Sequence, residues 1–290
     1  MRDKRMTIAE AVELVEDGST LGIASPAVQP EALISMTAVR EIARQGKRDL
    51  TVISAMAELE SDLLAGAGCL HAIQFWACRF FDLGTPPNIR RMMQAGEIIA
   101  REESEFSFTL GVLAGGMGVE FIPLHGYFND HLPHHPEWRT FPSPFDGKQL
   151  LAVTAVVPDV ALIHVPRADK FGNAQFGETN RHNTAARFLA PHMVRAAKRV
   201  ILTTEEIIDN AEIRTTPEET GILYHDVDAV VHAPGGAHPH GVVGYYEPDH
   251  AHIKRYHAAA QDPERFREYL RTYVHEPADP EAYRALVDAE

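Results

Sequence analysis

Short apolar strand patterns alternate with amphipathic helix patterns along most of the chain, and this alternation limits the possible folds more than any other feature. In the first helix pattern, Ile8, Ala11, Val12 and Val15 share one helical face. The segments STLGIA, DLTVIS and DVALIHV are short, continuous apolar runs. Such strands are typical of a parallel sheet that helices cover on both faces. The sequence therefore predicts an α/β fold with an open, mostly parallel sheet.

Local signals place the ends of several of these elements. Thr7 and Glu10 form a T-x-x-E capping box before the first helix. Helices are predicted over about 30–44 and from about Asn183 to Lys198. The segment FSFTLGVLAGGMG resembles a helix, although its glycines weaken the pattern, and FIPL and LLAVTAVV read as strands. A charged helical tail begins at about Asp249, and two of its helices start at Asp-Pro pairs.

Length and composition bound the class of protein. The 290 residues contain no internal repeat and no low-complexity linker, which favours one domain over 1–290 with a helical C-terminal extension at about 249–290. The net charge of −14 argues against a nucleic-acid or anionic-membrane partner. Two cysteines without CxxC spacing indicate neither a disulfide framework nor a zinc ribbon. Because no apolar run approaches the roughly 20 residues of a membrane span, we expect a soluble, cytoplasmic protein.

The alternation lapses from His125 to Gly147. This stretch reads HGYFNDHLPHHPEWRTFPSPFDG and is rich in proline, histidine and aromatic residues. It is longer than an ordinary connection between a helix and a strand. We therefore expect either a functional loop or an arm that packs on a partner.

Histidines crowd the stretch from Val231 to His257, which holds six of the 16 in the chain. A metal site is one interpretation, since two pairs have i, i+2 spacing: His238 with His240, and His250 with His252. However, the first pair flanks a proline in a glycine-rich turn and the second precedes a helix, where such residues diverge. HExxH spacing, facial-triad spacing and cysteine ligands are all absent from the stretch. We therefore predict no metal.

The turn PGGAHP follows the strand pattern DAVVHA and places Gly235 and Gly236 just past the carboxyl end of a buried strand. Ligands of open α/β sheets bind in the crevice at these strand ends. Two glycines permit positive φ and close backbone approach, and their N–H groups can form a nest for an anion. A plain tight turn is the alternative that the local sequence leaves open.

The stretch VDAVVHAPGGAHPHGVVGYYEPDHAHIKRYH resembles a segment of the A (alpha) subunits of class I CoA-transferases, in particular the glutaconate CoA-transferase type. The resemblance continues in EAVELVEDGSTLGIA, DLTVIS, PDVALIHVPRADKFGNAQFG, AAKRVILTTEEII and DPERFREYLRTYVHEPADPEAYRALV. These motifs keep their order and spacing over nearly the whole chain. The resemblance implies the sheet fold of this family and an active site at the junction between two different subunits.

The reaction that the resemblance implies uses a coenzyme A thioester as substrate and no permanently bound cofactor. Its nucleophilic glutamate belongs to the B (beta) subunit, so the implied partner is a CoA-transferase beta subunit in a heterodimer or heterotetramer. Glu178 of the motif FGETN is therefore not the expected nucleophile. The substrates would be an acyl-CoA and a carboxylic acid. The expected substrate-binding residues of the glycine turn are Gly235, Gly236, Ala237 and His238.

The segment AREESEFSFTLG places Glu102, Glu103 and Glu105 after a strand and before a helix. Carboxylates at this edge of a sheet can serve as bases when burial raises their pKa. Alternatively, they complement the helix N-terminus and Ser104 is its cap. The chain is also similar to the alpha chains of steroid ring-opening hydrolases, whose A-R-E-x-x-E segment carries the catalytic base. That resemblance implies Glu105 as the catalytic residue and Ser104 as a substrate contact.

The sequence departs from the family pattern at two places. Small-acid CoA-transferases carry a Gly-Gly-Phe loop after the first strand, where this chain reads GIASPAVQP, and the change would admit a larger substrate. After FIPL the family often has arginine, whereas this chain has His125, which would grip a carboxylate more weakly. Asn129 and Asp130 of the same loop are candidate polar contacts, with a surface role equally open.

The resemblance leaves two reactions open. In CoA transfer, the leading interpretation, the partner's glutamate attacks while this chain shapes the acyl and CoA site. In the alternative, Glu105 drives retro-Claisen hydrolysis of a C–C bond in a cyclic β-keto acyl-CoA of steroid-type catabolism. A nucleophilic glutamate in the partner would favour transfer. A third hypothesis is a non-catalytic subunit that only stabilises its partner.

Overall fold

The computed structural model describes residues 1–24, 33–80, 82–126, 132–177 and 188–289. Its helices are α1 (Ile8–Val12), α2 (Met36–Gln45), α3 (Leu59–Gly66), α4 (Pro87–Ala95), α5 (Glu105–Met117), α6 (Ala190–Ala196), α7 (Asn210–Ile213), α8 (His250–Ala260), α9 (Pro263–Leu270) and α10 (Pro280–Asp288). Its strands are β1 (Thr20–Ile23), β2 (Leu50–Ser54), β3 (Met56–Ala57), β4 (Leu70–Phe75), β5 (Ala77–Cys78), β6 (Ile99–Glu102), β7 (Phe121–His125), β8 (Arg139–Pro142), β9 (Gln149–Thr154), β10 (Val160–Asp169), β11 (Ala174–Gln175), β12 (Arg199–Ile208), β13 (Thr220–Ile222) and β14 (Ala229–His232).

The central sheet has seven parallel strands in the order β6-β4-β2-β1-β10-β12-β14. Strands β11 and β13 extend it as antiparallel neighbours at the end of β10. The chain runs outward from β1 to β6 and then returns to start again at β10, so the strand order reverses between β1 and β10. This arrangement confirms the predicted α/β fold with an open, mostly parallel sheet.

Strand residues point alternately to the two faces of the sheet, and this alternation divides the core in two. Leu21 and Ile23 of β1 belong to a cluster that contains helices α1 to α4 and the C-terminal helices. Ala161 and Ile163 of β10 belong to the cluster on the other face, with helices α5 and α6. Because both faces are covered, these strands are apolar at nearly every position, as the sequence predicts.

FIPL and LLAVTAVV form strands, as predicted, but these strands lie outside the parallel sheet. Strand β7 instead pairs with β9, and β9 with β8, in a separate antiparallel three-stranded sheet. Pro123 stands in the middle of β7 and has no N–H to donate, which confines a strand of this kind to an edge. The stretch from His125 to Gly147, predicted as a loop or an arm, contains strand β8.

The second helix begins later than predicted. Residues 33–35 are not helical, and α2 starts at Met36 after Ser35, whose hydroxyl accepts a hydrogen bond from the Ala38 N–H at 3.2 Å. The predicted start near residue 30 lies outside the described residues, as does the predicted start of a helix at Asn183, of which the structure describes α6. A serine cap supplies the acceptor that the first turn needs, so it fixes the helix start.

Helix α5 forms in spite of its glycines because they allow close packing. A Cβ atom on Gly115 would lie 2.0 Å from the carbonyl oxygen of Val156, and one on Gly116 would lie 2.8 Å from the Cα of His192. Only glycine permits such approach. The predicted helix over FSFTLGVLAGGMG is therefore confirmed, and its glycines face the end of β9 and helix α6.

The C-terminal tail is helical, as predicted, and each helix has an aspartate cap. Asp249, Asp262 and Asp279 each accept a hydrogen bond from a backbone N–H in the first turn of α8, α9 and α10, respectively. Tyr256 and Phe266 of this tail are buried in the same core cluster as α1 to α4. In the described part of the chain, no helix combines the length and apolar character that crossing a membrane requires.

Candidate active site

The carboxyl end of the parallel sheet carries both segments that the sequence singles out. Strand β6 ends at Glu102 and leads into Ser104 and Glu105, and β14 ends at His232 and leads into the glycine turn. The turn folds back to α2, where Gly236 accepts a hydrogen bond from the Thr37 N–H at 2.9 Å. The turn lies against His164 of β10, and β6 and β10 are four strand spacings apart, which is about 19 Å. The structure therefore forms two groups of predicted residues rather than one pocket.

Ser104 and Glu105 stand at the start of α5. The Ser104 hydroxyl accepts a hydrogen bond from the Ser107 N–H at 3.0 Å, so it caps the helix. Glu105 is the first helical residue and its side chain is exposed at the rim of the sheet. Its neighbour Phe106 is 61% exposed, which is unusual for a phenylalanine. The catalytic role of Glu105 and the substrate contact of Ser104 stay predictions.

Glu103, two residues before Glu105, is buried instead. Its carboxylate accepts a hydrogen bond from the Gln74 side-chain amide. Burial raises the pKa of Glu103 above its ordinary value, and the hydrogen bonds from Gln74 and Ser107 only partly oppose this shift. Of the glutamates near this edge, Glu103 thus has the environment that the sequence interpretation required of a base, whereas Glu105 has an accessible position.

The connection between β7 and β8 of the antiparallel sheet contacts this edge. The ring of His135 is buried and stacks on Trp138, with 4.0 Å between the ring centroids. One ring nitrogen of His135 is 2.9 Å from the carbonyl oxygen of Glu102. His125 is exposed at the end of β7, next to the segment 127–131 that contains Asn129 and Asp130. Asn129 and Asp130 lie outside the described residues, as does Glu178, and the substrate roles of His125 and Asn129 stay predictions.

The PGGAHP turn requires both of its glycines. Gly235 has a φ of 71°, in the left-handed region that favours glycine. A Cβ on Gly236 would lie 2.6 Å from the carbonyl oxygen of Ala233 and 2.7 Å from the ring of His164. The predicted close backbone approach is therefore real, and what approaches is the body of the protein. The roles of Gly235, Gly236 and Ala237 in substrate binding stay predictions.

A buried carboxylate that the sequence interpretation missed holds this turn. Glu205 of β12 accepts hydrogen bonds from the Gly235 N–H at 2.7 Å and from the Tyr246 hydroxyl at 2.7 Å, and it lies 2.6 Å from a ring nitrogen of His164. The Tyr246 hydroxyl in turn accepts from the Ala237 N–H at 3.2 Å. The predicted anion nest thus already binds an anion of the same chain at Gly235.

Electrostatics favour the charged form of Glu205. Burial opposes ionisation, but the hydrogen bonds from His164, Gly235 and Tyr246 outweigh it and hold the pKa of Glu205 below its ordinary value. From His164 the network continues through the hydroxyls of Thr203, at 2.8 Å, and Ser35, which caps α2. The sequence did carry a signal for this site. The segment TTEE places two glutamates toward the carboxyl end of a buried strand, where an acid is unusual.

His238, near the end of the PGGAHP turn, has partners within the fold. One ring nitrogen is 2.8 Å from the Tyr283 hydroxyl and the other is 3.2 Å from Asp249 Oδ2. Burial lowers the pKa of His238 to about 4, because the ring is removed from water. Asp249 and His252 complete this group. A ring nitrogen of His252 lies 2.8 Å from the Tyr269 hydroxyl. The prediction that His238 contacts substrate stays a prediction, since both of its ring nitrogens have partners.

The same group contains the donor set for a metal that the spacing argument did not consider. One ligand atom each from His238, Asp249 and His252 lie within 4.8 Å of one another, all in the described part of the chain. Burial is the main cause that lowers the pKa of His252, and the nearby charges of Arg255 and Arg40 lower it further. A cation here would face the same repulsion, which disfavours a divalent metal. The prediction of no metal stays open to a metal analysis of the purified protein.

Comparisons with known proteins identify the family. The sequence profile described as Coenzyme A transferase matches residues 5–233. The chain is 34% identical to the alpha chain of 3-oxoadipate CoA-transferase from Pseudomonas knackmussii over 97% of each chain. It is also 34% identical to a longer protein of Archaeoglobus fulgidus, of which it spans 60%. With a cholesterol ring-cleaving hydrolase IpdA subunit of Rhodococcus jostii it shares 28% identity over 99% of this chain and 96% of that one.

The fold comparison agrees with the sequence comparison. The crystal structure of glutaconate coenzyme A-transferase from Acidaminococcus fermentans superposes with a TM-score of 0.87 at 27% identity, covering 99% of this chain and 93% of that one. The fold is therefore the one that the resemblance predicts. The chain belongs to the coenzyme A transferase family, and it is of the alpha-chain type.

Proposed function

We propose that this chain is the alpha subunit of a two-subunit CoA-transferase that moves coenzyme A between an acyl-CoA and a carboxylic acid. The partner would be a beta subunit that carries the nucleophilic glutamate, in a heterodimer or heterotetramer. The observation that carries the choice of transfer is the 34% identity to the alpha chain of a 3-oxoadipate CoA-transferase over 97% of both chains. The identity to a ring-cleaving hydrolase subunit is lower, at 28%.

The carboxylates of this chain support a nucleophile in the partner. Glu205 has all the hydrogen bonds described above and is 5% exposed, so a thioester could not reach it without breaking that network. Glu103 is equally buried against Gln74. Glu105 is accessible, but it stands on an open rim beside the exposed Phe106 rather than in a closed pocket. A rim with an exposed aromatic side chain suits contact with a second subunit.

The proposed chemistry proceeds through two kinds of covalent intermediate, a mixed anhydride and a glutamyl thioester. The partner's glutamate carboxylate attacks the thioester carbonyl, the C–S bond breaks, and a mixed anhydride and the CoA thiolate form. The thiolate then attacks the glutamyl carbonyl, which releases the first acid and leaves a glutamyl-CoA thioester. The second acid repeats these steps in reverse and leaves as its CoA thioester. In this reaction Glu105 and the glycine turn would shape the substrate site, with no bound cofactor.

A second candidate function is hydrolysis of a C–C bond in a cyclic β-keto acyl-CoA. The accessible carboxylate of Glu105 at the sheet edge and the similarity to a ring-cleaving hydrolase subunit favour it. Glu105 would take a proton from water, the hydroxide would add to the ring ketone, and the C–C bond would break. The electron pair would then remain on the carbon next to the thioester, which takes up a proton.

Borohydride trapping separates the two functions. The chain is purified together with its B-type partner, incubated with an acyl-CoA, and treated with borohydride. Loss of activity only in the presence of acyl-CoA means that a glutamyl thioester was trapped, as transfer predicts. Retained activity, together with ¹⁸O from water in the product carboxylate, would refute transfer and support hydrolysis.

Variants of Glu105 sharpen the same test. If Glu105 is the base of a hydrolase, Glu105→Gln lowers turnover by roughly 10²- to 10⁴-fold. If it only shapes a transferase site, the variant still forms the trapped thioester. The matched control is Glu97→Gln, which removes another exposed carboxylate before β6. Turnover that neither Glu105→Gln nor borohydride changes would support the non-catalytic subunit instead.

We also propose a cytoplasmic location for this reaction. Both cysteines, Cys69 and Cys78, are free thiols, as in proteins of reducing compartments. Cell fractionation followed by the activity assay tests this location directly.

A further inference from the structure

A cavity of about 500 Å³ lies between the parallel sheet and the layer formed by α5 and β9. On the sheet side, Ile53, Gln74 and Arg101 stand at paired positions of the neighbouring strands β2, β4 and β6. Trp138 and Val156 form part of the opposite wall. The cavity reaches Glu103, two residues before Glu105, so it adjoins the edge where the proposed reaction would occur.

Three charged side chains line this cavity, and the two acids are committed to other partners. Glu103 accepts a hydrogen bond from the Gln74 amide, and Glu137 lies 3.3 Å from a ring nitrogen of His135. Among the residues that the structure describes, no carboxylate oxygen lies within 4.0 Å of the Arg101 guanidinium. Arg101 is thus the one basic side chain among the described residues that line the cavity, and neither lining glutamate is paired with it.

An arginine in this setting suits a carboxylate. Arg101 is partly buried, and a guanidinium presents a planar fork that matches the two oxygens of a carboxylate. The aliphatic and aromatic walls at Ile53, Val156 and Trp138 suit a short carbon chain. A phosphate would carry more negative charge toward Glu103 and Glu137, which makes it the less favourable anion.

We propose that Arg101 is a specificity-determining residue whose guanidinium binds the second carboxylate of a short dicarboxylic acid. The carbon chain of that acid lies along Ile53, Val156 and Trp138, and its reacting end points toward Glu105. The choice of an acid as ligand rests on the proposed function, and the assignment names which class of acid the site accepts.

Tryptophan fluorescence reports binding in this cavity without the partner subunit or turnover. The chain has two tryptophans, Trp76 and Trp138, so Trp76→Phe leaves Trp138 in the cavity wall as the sole reporter. We would titrate this variant with adipate and with hexanoate, which has the same chain length and one carboxylate fewer. The expected result is a saturable change with adipate and affinity for hexanoate that is at least tenfold weaker.

Substitutions of Arg101 test the assignment itself. Arg101→Gln should lower the affinity for adipate by roughly ten- to a hundredfold and leave that for hexanoate unchanged. Arg101→Lys keeps the charge without the fork and should fall between the two. The control is Arg48→Gln, which removes an exposed arginine just before β2, at the opposite end of the sheet, and should change neither affinity. Circular dichroism of each variant checks that it is folded.

Several results would overturn the assignment. Equal affinities for adipate and hexanoate would do so, as would a preference for adipate that survives Arg101→Gln in the folded chain. A fluorescence change with 3′,5′-ADP but not with adipate would identify a phosphate site instead. These outcomes are independent of the borohydride test, because they require neither a partner nor a covalent intermediate. The dicarboxylate site can therefore be tested even if the proposed reaction proves wrong.

Discussion

Glu205 carries a negative charge where burial alone would discourage it. Three groups from distant parts of the chain, His164, Gly235 and Tyr246, direct hydrogen-bonding atoms at its two oxygens. Charge-assisted hydrogen bonds of this kind are stronger than those between neutral groups. This one side chain thereby ties the glycine turn to strands β10 and β12.

Removing the Glu205 carboxylate should destabilise the fold. Glu205→Ala leaves the Gly235 N–H and the Tyr246 hydroxyl without their acceptor, and we expect a loss of about 3–5 kcal/mol in the free energy of unfolding. Glu205→Gln retains one acceptor and should cost about 1–3 kcal/mol. Urea unfolding measures both. The exposed neighbour Glu206 is the control, since Glu206→Ala should stay within about 0.5 kcal/mol. An unchanged midpoint for Glu205→Ala would contradict the role of the network.

Because three histidines are buried, we expect the free energy of unfolding to decrease as the pH falls. Burial lowers the pKa of His238 to about 4 and those of His240 and His252 to about 3. In the unfolded chain these rings titrate near pH 6.5, so the unfolded state takes up protons first as the pH falls. Stability is therefore complete above about pH 6.5 and declines toward pH 4, by roughly 3 kcal/mol for each ring.

One aspartate acts in the opposite direction. Burial raises the pKa of Asp62 to about 6, so the folded state binds its proton first between about pH 4 and 6 and offsets part of the decline. Urea unfolding at several pH values measures the slope. His252→Gln should flatten it, whereas replacement of the exposed His250 should not. A slope that is unchanged in His252→Gln would show that this ring is already charged in the folded state.

At the scale of single elements, helix α5 is specified by packing more than by propensity. Its glycines lower helix propensity, and exposed apolar residues such as Met117 add little to the core. What holds it is the close contact of its glycine face with the end of β9 and with α6. The same contact positions Ser104 and Glu105 at the edge of the sheet.

Gly115→Ala separates propensity from packing in α5. Propensity alone predicts that alanine stabilises a helix interior by about 1 kcal/mol. The structure predicts the opposite sign, because the new Cβ would lie 2.0 Å from the carbonyl oxygen of Val156. We expect a loss of about 1–3 kcal/mol from overpacking, measured by thermal or urea unfolding. Met117→Ala in the same helix is the control and should have little effect. Stabilisation by Gly115→Ala would contradict the close approach.

At the scale of the whole molecule, the C-terminal helices complete the core instead of extending from it. Tyr256, Phe266 and Tyr283 are almost fully buried against the layer of α1 to α4. Asp62 of α3 also accepts a hydrogen bond from the Tyr256 hydroxyl at 2.8 Å. We therefore propose that residues 1–290 fold as one domain, in which the segment 249–290 is an integral part.

Truncation tests this domain proposal. A chain ending at residue 248 would expose the apolar surface that Tyr256 and Phe266 cover, and we expect it to unfold or aggregate. A chain ending at residue 277 loses only α10 and should be intermediate in stability. The full chain should unfold in a single transition by circular dichroism and fluorescence alike. A stable, cooperatively folding 1–248 fragment would show that the tail is a separate unit.

Much of the fold follows from the sequence by itself. The capping box of Thr7 and Glu10, the Asp caps of the tail helices and the buried strands depend on residues within a few positions of one another. Local hydrogen bonds and hydrophobic periodicity are sufficient to specify such features. The order of the motifs also indicated the coenzyme A transferase family. The roles of Glu105 and of the glycine turn rest on the same resemblance and stay predictions.

Only the tertiary structure decided which side chains meet. Strand β7 reads as an ordinary apolar strand, yet its partner is β9 and its sheet is a separate one. Glu205 contacts His164 and Tyr246, each 41 positions away, and the cavity around Arg101 joins strands β2, β4 and β6 to Trp138. Pairings over such distances depend on how the sheet and helices pack, which no local pattern encodes. The sequence therefore determined the elements and the family, and packing determined the charges and cavities that would select a substrate.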